Sequence, residues 1–169
     1  MTQEEIDQYW MKQALELALK AQDAGEIPVG ALLVRDNQLI ATGWNCSIQN
    51  HDATAHAEIV AIQKAGQSLN NYRLLDTTLY VTLEPCIMCA GAMIHSRINR
   101  LVYGAKDFKT GACGSFIDIM GHSGLNHYVE VTGGVLAESC STMLSAFFKM
   151  RRNEKKLQKR MLSQQNSQV

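Results

Sequence analysis

The chain is predicted to be an α/β protein, with a mixed five-stranded sheet and helices on both faces. Segments of helical spacing alternate with short apolar runs in the order α-β-β-α-β-α-β-loop-β-α, which suits a mixed sheet better than separate all-α and all-β layers. Val29 to Val34 is an almost unbroken apolar run, typical of a strand covered on both sides. The first and last helical segments are amphipathic, so each packs through one side only.

Taken in order, Glu4 to Ala24 places Ile6, Tyr9, Trp10, Ala14, Leu17, Ala18 and Ala21 at helical spacings, and Gly25 ends that helix. Pro28 precedes the first strand, Val29–Val34. Residues 35–38 turn, and Leu39–Trp44 returns as an antiparallel partner. Residues 45–54 are polar and loop-like. His56–Ala65 is mostly apolar and reads as a buried helix whose first turn carries His56 and Glu58. A third strand covers Thr78–Leu83, and a short helix opens at Pro85 and runs to His95. Leu101–Ala105 is the fourth strand, the glycine-rich stretch 106–124 has no clear period, and Tyr128–Thr132 alternates like a half-buried strand. From Leu136 a long helix packs through Leu136, Cys140, Met143, Leu144 and Phe147, with Phe148 at the margin. Residues 163–169 are polar and expected to fray. Trp10, Trp44 and Phe147 are expected in the core; Met88, Met93 and Ile94 form an apolar surface that suits either core or interface.

The 169 residues, 46% apolar with two prolines, fit a single domain spanning 1–169. The longest apolar run, Cys86–Ile94, is far short of a membrane span. The N-terminus is acidic and has no apolar segment, which predicts no secretory signal. Five cysteines, two of them in C-x-x-C, predict reduced thiols and a cytoplasmic location. The formal net charge of zero hides a split. Residues 1–148 carry 15 acidic and nine basic side chains, and residues 149–169 carry one acidic and seven basic. A basic end at +6 on a body at −6 points to a localised anionic partner.

Chemistry concentrates in Thr54-Ala-His-Ala-Glu58 and Glu84-Pro-Cys-Ile-Met-Cys89. His-x-Glu followed by Pro-Cys-x-x-Cys is the signature of zinc nucleobase deaminases. His56, Cys86 and Cys89 are soft ligands suited to one Zn²⁺ per subunit, and three protein ligands leave a fourth tetrahedral position for water. Cys86 and Cys89, three apart, share one helix face, and a helix N-terminus favours their thiolates. Zinc brings the pKa of such a water from about 15.7 toward 7. Glu58 then serves as general base and general acid in turn, moving that proton to the ring nitrogen and then to departing ammonia. The competing reading is a structural zinc site closed by Cys113, Cys46 or His95. No second pair at ligand spacing supports it, and the acid beside the histidine and the proline before the first cysteine speak against it.

Pro28-Val-Gly-Ala31, Gly43-Trp-Asn45, Thr54–Glu58, Asn71-Tyr-Arg-Leu74, Thr78–Cys86, Met88–Arg97, Tyr103–Asp107 and Lys109-Thr-Gly111 resemble the bacterial tRNA-specific adenosine deaminases. The resemblance extends to about Arg152. It implies the cytidine deaminase-like three-layer α/β/α sandwich and formation of inosine at the wobble position of an arginine tRNA. It also implies a homodimer that binds the anticodon stem-loop across the subunit junction. By the same resemblance His56, Cys86 and Cys89 hold zinc and Glu58 shuttles protons. Asn45 would contact the base, Val29 and the Ala57 backbone would line the adenine pocket, and Asp107 and Lys109 would lie near the RNA. Ala53 and Cys113 depart from the family pattern, outside the zinc set.

A buried nucleophile cannot reach a stacked base, so the target nucleotide must be splayed out, as anticodon loops allow. Arg152, Lys155, Lys156 and Lys159 recur at helical spacing, with Arg151 beside them, as a basic stripe suited to RNA phosphates. A solvated helix end is the bland alternative. Rival functions are a deaminase of free guanine, cytosine or cytidine, and a zinc-stabilised RNA-binding module without catalysis. His95, His122 and His127 read as ordinary surface histidines, and Cys46, Cys113 and Cys140 as small packing side chains.

Overall fold

The computed structural model describes residues 1–168; of the segment expected to fray, Val169 lies outside the described residues. Its elements are α1 (Gln3–Asp23), β1 (Gly30–Arg35), β2 (Gln38–Trp44), α2 (Ala57–Leu69), β3 (Thr78–Leu83), α3 (Ile87–His95), β4 (Arg100–Ala105), β5 (Glu130–Thr132) and α4 (Ala137–Asn166). The sheet order is β2-β1-β3-β4-β5. The pairs β1–β2 and β1–β3 are antiparallel, and β3–β4 and β4–β5 are parallel. The mixed sheet is therefore the one expected.

Side chains alternate between two cores, which is why the strands read as continuous apolar runs. Leu33, Leu79, Val81, Leu101 and Tyr103 meet Ala57, Ala61 and Ala65 of α2 and Cys89, Ala90, Met93 and Ile94 of α3. On the opposite face Leu32, Val34, Tyr80 and Val102 meet Trp10, Met11, Ala14 and Leu17 of α1 and Cys140 of α4. Three layers result. Met93 and Ile94 are thereby core residues rather than an exposed apolar surface, and Met88 packs partly against the same core. Trp44 is only half-buried, with the Lys20 and Lys64 ammonium groups 5.3 and 5.1 Å from its ring.

Local chemistry sets the element ends. Thr2 and Glu5 form a capping box at the start of α1. Past its end, Gly25 adopts φ +80°, the Glu26 N–H donates to Ala21 O and the Gly25 N–H to Gln22 O, the two bonds of a Schellman motif. The β1–β2 hairpin turns on Asp36 and Asn37, both at positive φ (51° and 56°), as the tight hairpin twist demands. α3 opens at Ile87, later than the expected Pro85. The Pro85 carbonyl accepts from the Ala112 N–H and Cys86 bridges to Gly111, so this backbone pairs with a loop before it can coil. β5 is shorter than expected. α4 is longer, remaining helical to Asn166 through residues 163–166. No helix of the described residues is long and apolar enough to cross a membrane, and all five cysteines are free thiols.

Candidate metal and nucleotide site

The ligand residues sit at two helix N-termini that converge. His56 is the N-cap of α2 and Cys86 the N-cap of α3, both in extended backbone, and Cys89 lies in the first turn of α3. Being caps rather than first-turn residues frees His56 and Cys86 to aim along the helix ends, where the partial positive charge favours a thiolate. Alanines let α2 lie this close. A Cβ on Gly43 of β2 would strike the Ala57 carbonyl and come within 2.7 Å of the Ala61 nitrogen.

The fit to zinc is quantitative. Cys86 Sγ and Cys89 Sγ lie 3.6 and 3.5 Å from His56 Nδ1, and the three ligand atoms fall within 4.8 Å of one another. A sulfur at about 2.3 Å and a nitrogen at about 2.05 Å from one tetrahedral zinc would be about 3.6 Å apart. Among the described residues this is the one such group of three or more His, Cys, Asp or Glu side chains, so Cys46, Cys113 and His95 do not complete a four-ligand structural site. The two thiols are tightly coupled. The hydrogen bond from Cys89, and after it the His56 ring, hold the Cys86 thiol down to about 4; the same bond, with burial, pushes Cys89 up. A cation shared by both is the natural way to stabilise the second thiolate. The hydrogen bond to Cys86 raises His56. Burial pushes the Glu58 carboxyl up, and that side chain is 4% exposed.

A cavity of about 740 Å³ opens onto this group. His56, Glu58 and Cys86 line its inner part together with Val29, Asn45 and Leu83. Lys106, Asp107, Phe108 and Lys109 come from the loop after β4; Phe148, Arg151, Arg152 and Lys155 come from α4. Several sequence-predicted residues therefore meet at one place although they are far apart in the chain. Others do not. Ala57 is buried and its N–H donates to Asn45 Oδ1 at 2.9 Å, so that group is already engaged. Asn45 also donates from Nδ2 to the Ile27 carbonyl at 3.1 Å, which fixes its side chain between the segment preceding β1 and the start of α2. Lys156 and Lys159 are exposed without lining the cavity; Arg151 does line it, but its guanidinium donates to the Gly25 carbonyl and lies 5.0 Å over the Phe147 ring.

Sequence reasoning missed Glu84. This carboxylate is 2% exposed, one residue before the Pro-Cys step. It accepts from the N–H groups of Asp107 (3.3 Å), Cys113 (3.1 Å) and Ser115 (3.2 Å), and from the Ser115 hydroxyl. The one signal in the chain was an acid ending an apolar strand, where only a tightly hydrogen-bonded carboxylate survives burial. Burial pushes the Cys113 thiol up to about 12, which disfavours its thiolate. His95 and His122 are exposed, and His127 Nε2 lies 2.8 Å from the Ile98 carbonyl.

The profile of the cytidine and deoxycytidylate deaminase zinc-binding region matches residues 4–105, which include His56, Glu58, Cys86 and Cys89. A tRNA-specific adenosine deaminase of Haemophilus influenzae is 58% identical over 94% of this chain and 92% of its own length. The chain belongs to the tRNA-specific adenosine deaminase family. The family's Bacillus subtilis member is 44% identical over 97% of this chain and 100% of its own. A solved chain from structural work on A-to-I editing by tRNA:A34 deaminases at the wobble position superposes with TM-score 0.78 at 40% identity, covering 80% of this chain and 99% of that one. A guanine deaminase from Nitrosomonas europaea superposes with TM-score 0.70 at 28% identity, covering 81% of each chain. The fold is thus shared with a deaminase of a free base. The loop after β4 and α4 both lie beyond the matched zinc region.

Proposed function

We propose that this protein is a zinc-dependent deaminase converting adenosine to inosine at the wobble position of a tRNA anticodon, with water consumed and ammonia released. The observation that carries the reading is a single cavity joining a three-ligand metal group and a buried acid at its floor to basic side chains at its rim. A free base needs the floor alone; an RNA loop needs both. Family membership supports the same substrate class.

In this reading His56, Cys86 and Cys89 hold one zinc, which supplies Lewis-acid activation of a water at neutral pH. Glu58 carries a proton to the ring nitrogen next to the attacked carbon and a second to the departing amine. Asn45 and Val29 position the base, and Ala57 acts indirectly by holding Asn45. Asp107 and Lys109 border the entering nucleotide. Arg151, Arg152, Lys155, Lys156 and Lys159 face the RNA backbone, the first three of them from the cavity wall. We extend the proposal to one catalytic domain per chain, an arginine tRNA, a homodimeric assembly and a cytoplasmic setting.

The deciding experiment incubates the protein with an anticodon stem-loop carrying a wobble adenosine, and separately with free adenosine, cytidine and guanine. Inosine in the stem-loop is the expected product. Turnover of a free base or nucleoside with none of the stem-loop would overturn the proposal.

A further inference from the structure

The loop between β4 and β5 holds an aromatic side chain that the reaction at the cavity floor does not need. Phe108 is 73% exposed and lines the cavity between Lys106 and Lys109; Phe148, 43% exposed, lines the same cavity from α4. The backbone on both sides of Phe108 is held by hydrogen bonds. The Asp107 N–H is held by Glu84. The Asp107 carboxylate accepts from the Lys109 N–H at 3.0 Å, the Thr110 N–H at 3.1 Å and the Thr110 hydroxyl at 2.7 Å. Gly111 closes the turn through its N–H to the Asp107 carbonyl at 2.9 Å, and its backbone sits so near the Glu84 carboxylate that any Cβ would collide. Phe108 is therefore held at the tip of a rigid turn, at the cavity mouth and among cations.

An exposed ring held rigid among lysines at the mouth of a nucleotide cavity has the composition of a stacking platform for single-stranded nucleic acid: a π-face for a base, positive charge for its phosphates. The cavity is also larger than one base requires. When the target nucleotide leaves the stack, its neighbours lose a stacking partner, and a preorganised ring can replace it without an ordering penalty. We infer that Phe108 is a substrate-contact residue that stacks on a nucleotide directly adjacent to the base being deaminated. This rests on the RNA-substrate reading and adds to it a named contact. Because every base offers a π-face, the contact strengthens binding more than it selects sequence.

The test compares wild type, Phe108→Ala and Phe108→Trp on the wobble-adenosine stem-loop and on two versions with an abasic residue on one side or the other of the target. Phe108→Ala is expected to raise KM roughly tenfold to a hundredfold, from the loss of one base–aromatic stack. Zinc content and melting temperature stay at wild-type values, because the ring is exposed. Phe108→Trp restores KM, and its added indole emission is quenched by the stem-loop beyond any change at Trp10 and Trp44. One abasic substrate weakens wild type but weakens Phe108→Ala no further, the non-additivity expected of partners that touch. An unchanged KM in Phe108→Ala, or additive losses on both abasic substrates, overturns the inference. If wild type leaves the intact stem-loop untouched, the RNA reading has failed first, and this inference falls with it.

Discussion

At the level of single residues the site is a division of labour among side chains with different exposure. Cys89 and Glu58 are buried while His56 and Cys86 are half-buried, so the metal group is reached from one side only. Glu58→Gln keeps shape and burial but removes the proton carrier. Deamination of the stem-loop should fall by at least about a thousandfold, the combined effect of two lost proton transfers. Zinc should remain near one equivalent in metal analysis. A variant with near-normal turnover would remove Glu58 from the chemistry and favour a binding module. The candidate metal ligands were readable because ligand type and spacing are local facts. Glu84 was not readable, since its role consists of partners 23 to 31 residues away.

Among the elements, the position of α2 matters most, because His56 caps it and Glu58 rides on its first turn. Gly43 is where β2 touches it. Gly43→Ala forces backbone apart and should destabilise the protein by about 2 kcal/mol or more, within the usual range for overpacking. It should also lower zinc occupancy, because the helix cannot move without its ligand. Gly66, in the last turn of α2, has only ordinary contact at 3.5 Å for an added Cβ, and Gly66→Ala should stabilise by about 0.5 kcal/mol through helix propensity. Opposite shifts in thermal melting check the pair. α4 presents a different case. Its basic stripe divides, Arg152 and Lys155 at the cavity and Lys156 and Lys159 beyond it. Replacing Lys155, Lys156 and Lys159 with Gln should reduce the slope of log K against log salt by about 0.7 for each RNA phosphate left without its cation. An unaltered slope would assign the stripe to solvation.

Across the whole molecule, one ion pair ties the first helix to the β4–β5 edge of the sheet. Asp7 accepts from Arg100 Nη1 and Nη2 at 2.8 Å each, from the Tyr80 hydroxyl at 2.8 Å and from Gln3 at 3.0 Å. Arg100 in turn reaches Thr132 at 2.9 Å, so α1, β3, β4 and β5 meet in one network. Burial raises the Asp7 pKa, but the Arg100, Tyr80 and Gln3 hydrogen bonds more than reverse this and leave it below 3.8. A depressed folded pKa means that this stabilisation is complete above the unfolded value and lost as pH falls through the folded one. Asp7→Asn should cost about 3 kcal/mol at pH 7, and the gap in melting temperature to wild type should begin to narrow below about pH 3.8 and close as pH falls through the lower folded pKa. Parallel curves down to pH 2 would place the acid sensitivity elsewhere.

Element order, ligand set and the polarity between an acidic body and a basic end are all written in the chain itself. Each rests on periodicity, spacing or charge within a short window. Folding was needed to establish that Met93 and Ile94 are core, that Asn45 secures the Ala57 N–H, and that Glu84 fastens the Asp107–Ser115 loop beside the metal helix. Those outcomes depend on which distant segments the sheet brings together, and a buried polar group reveals its purpose only through the partners that satisfy it.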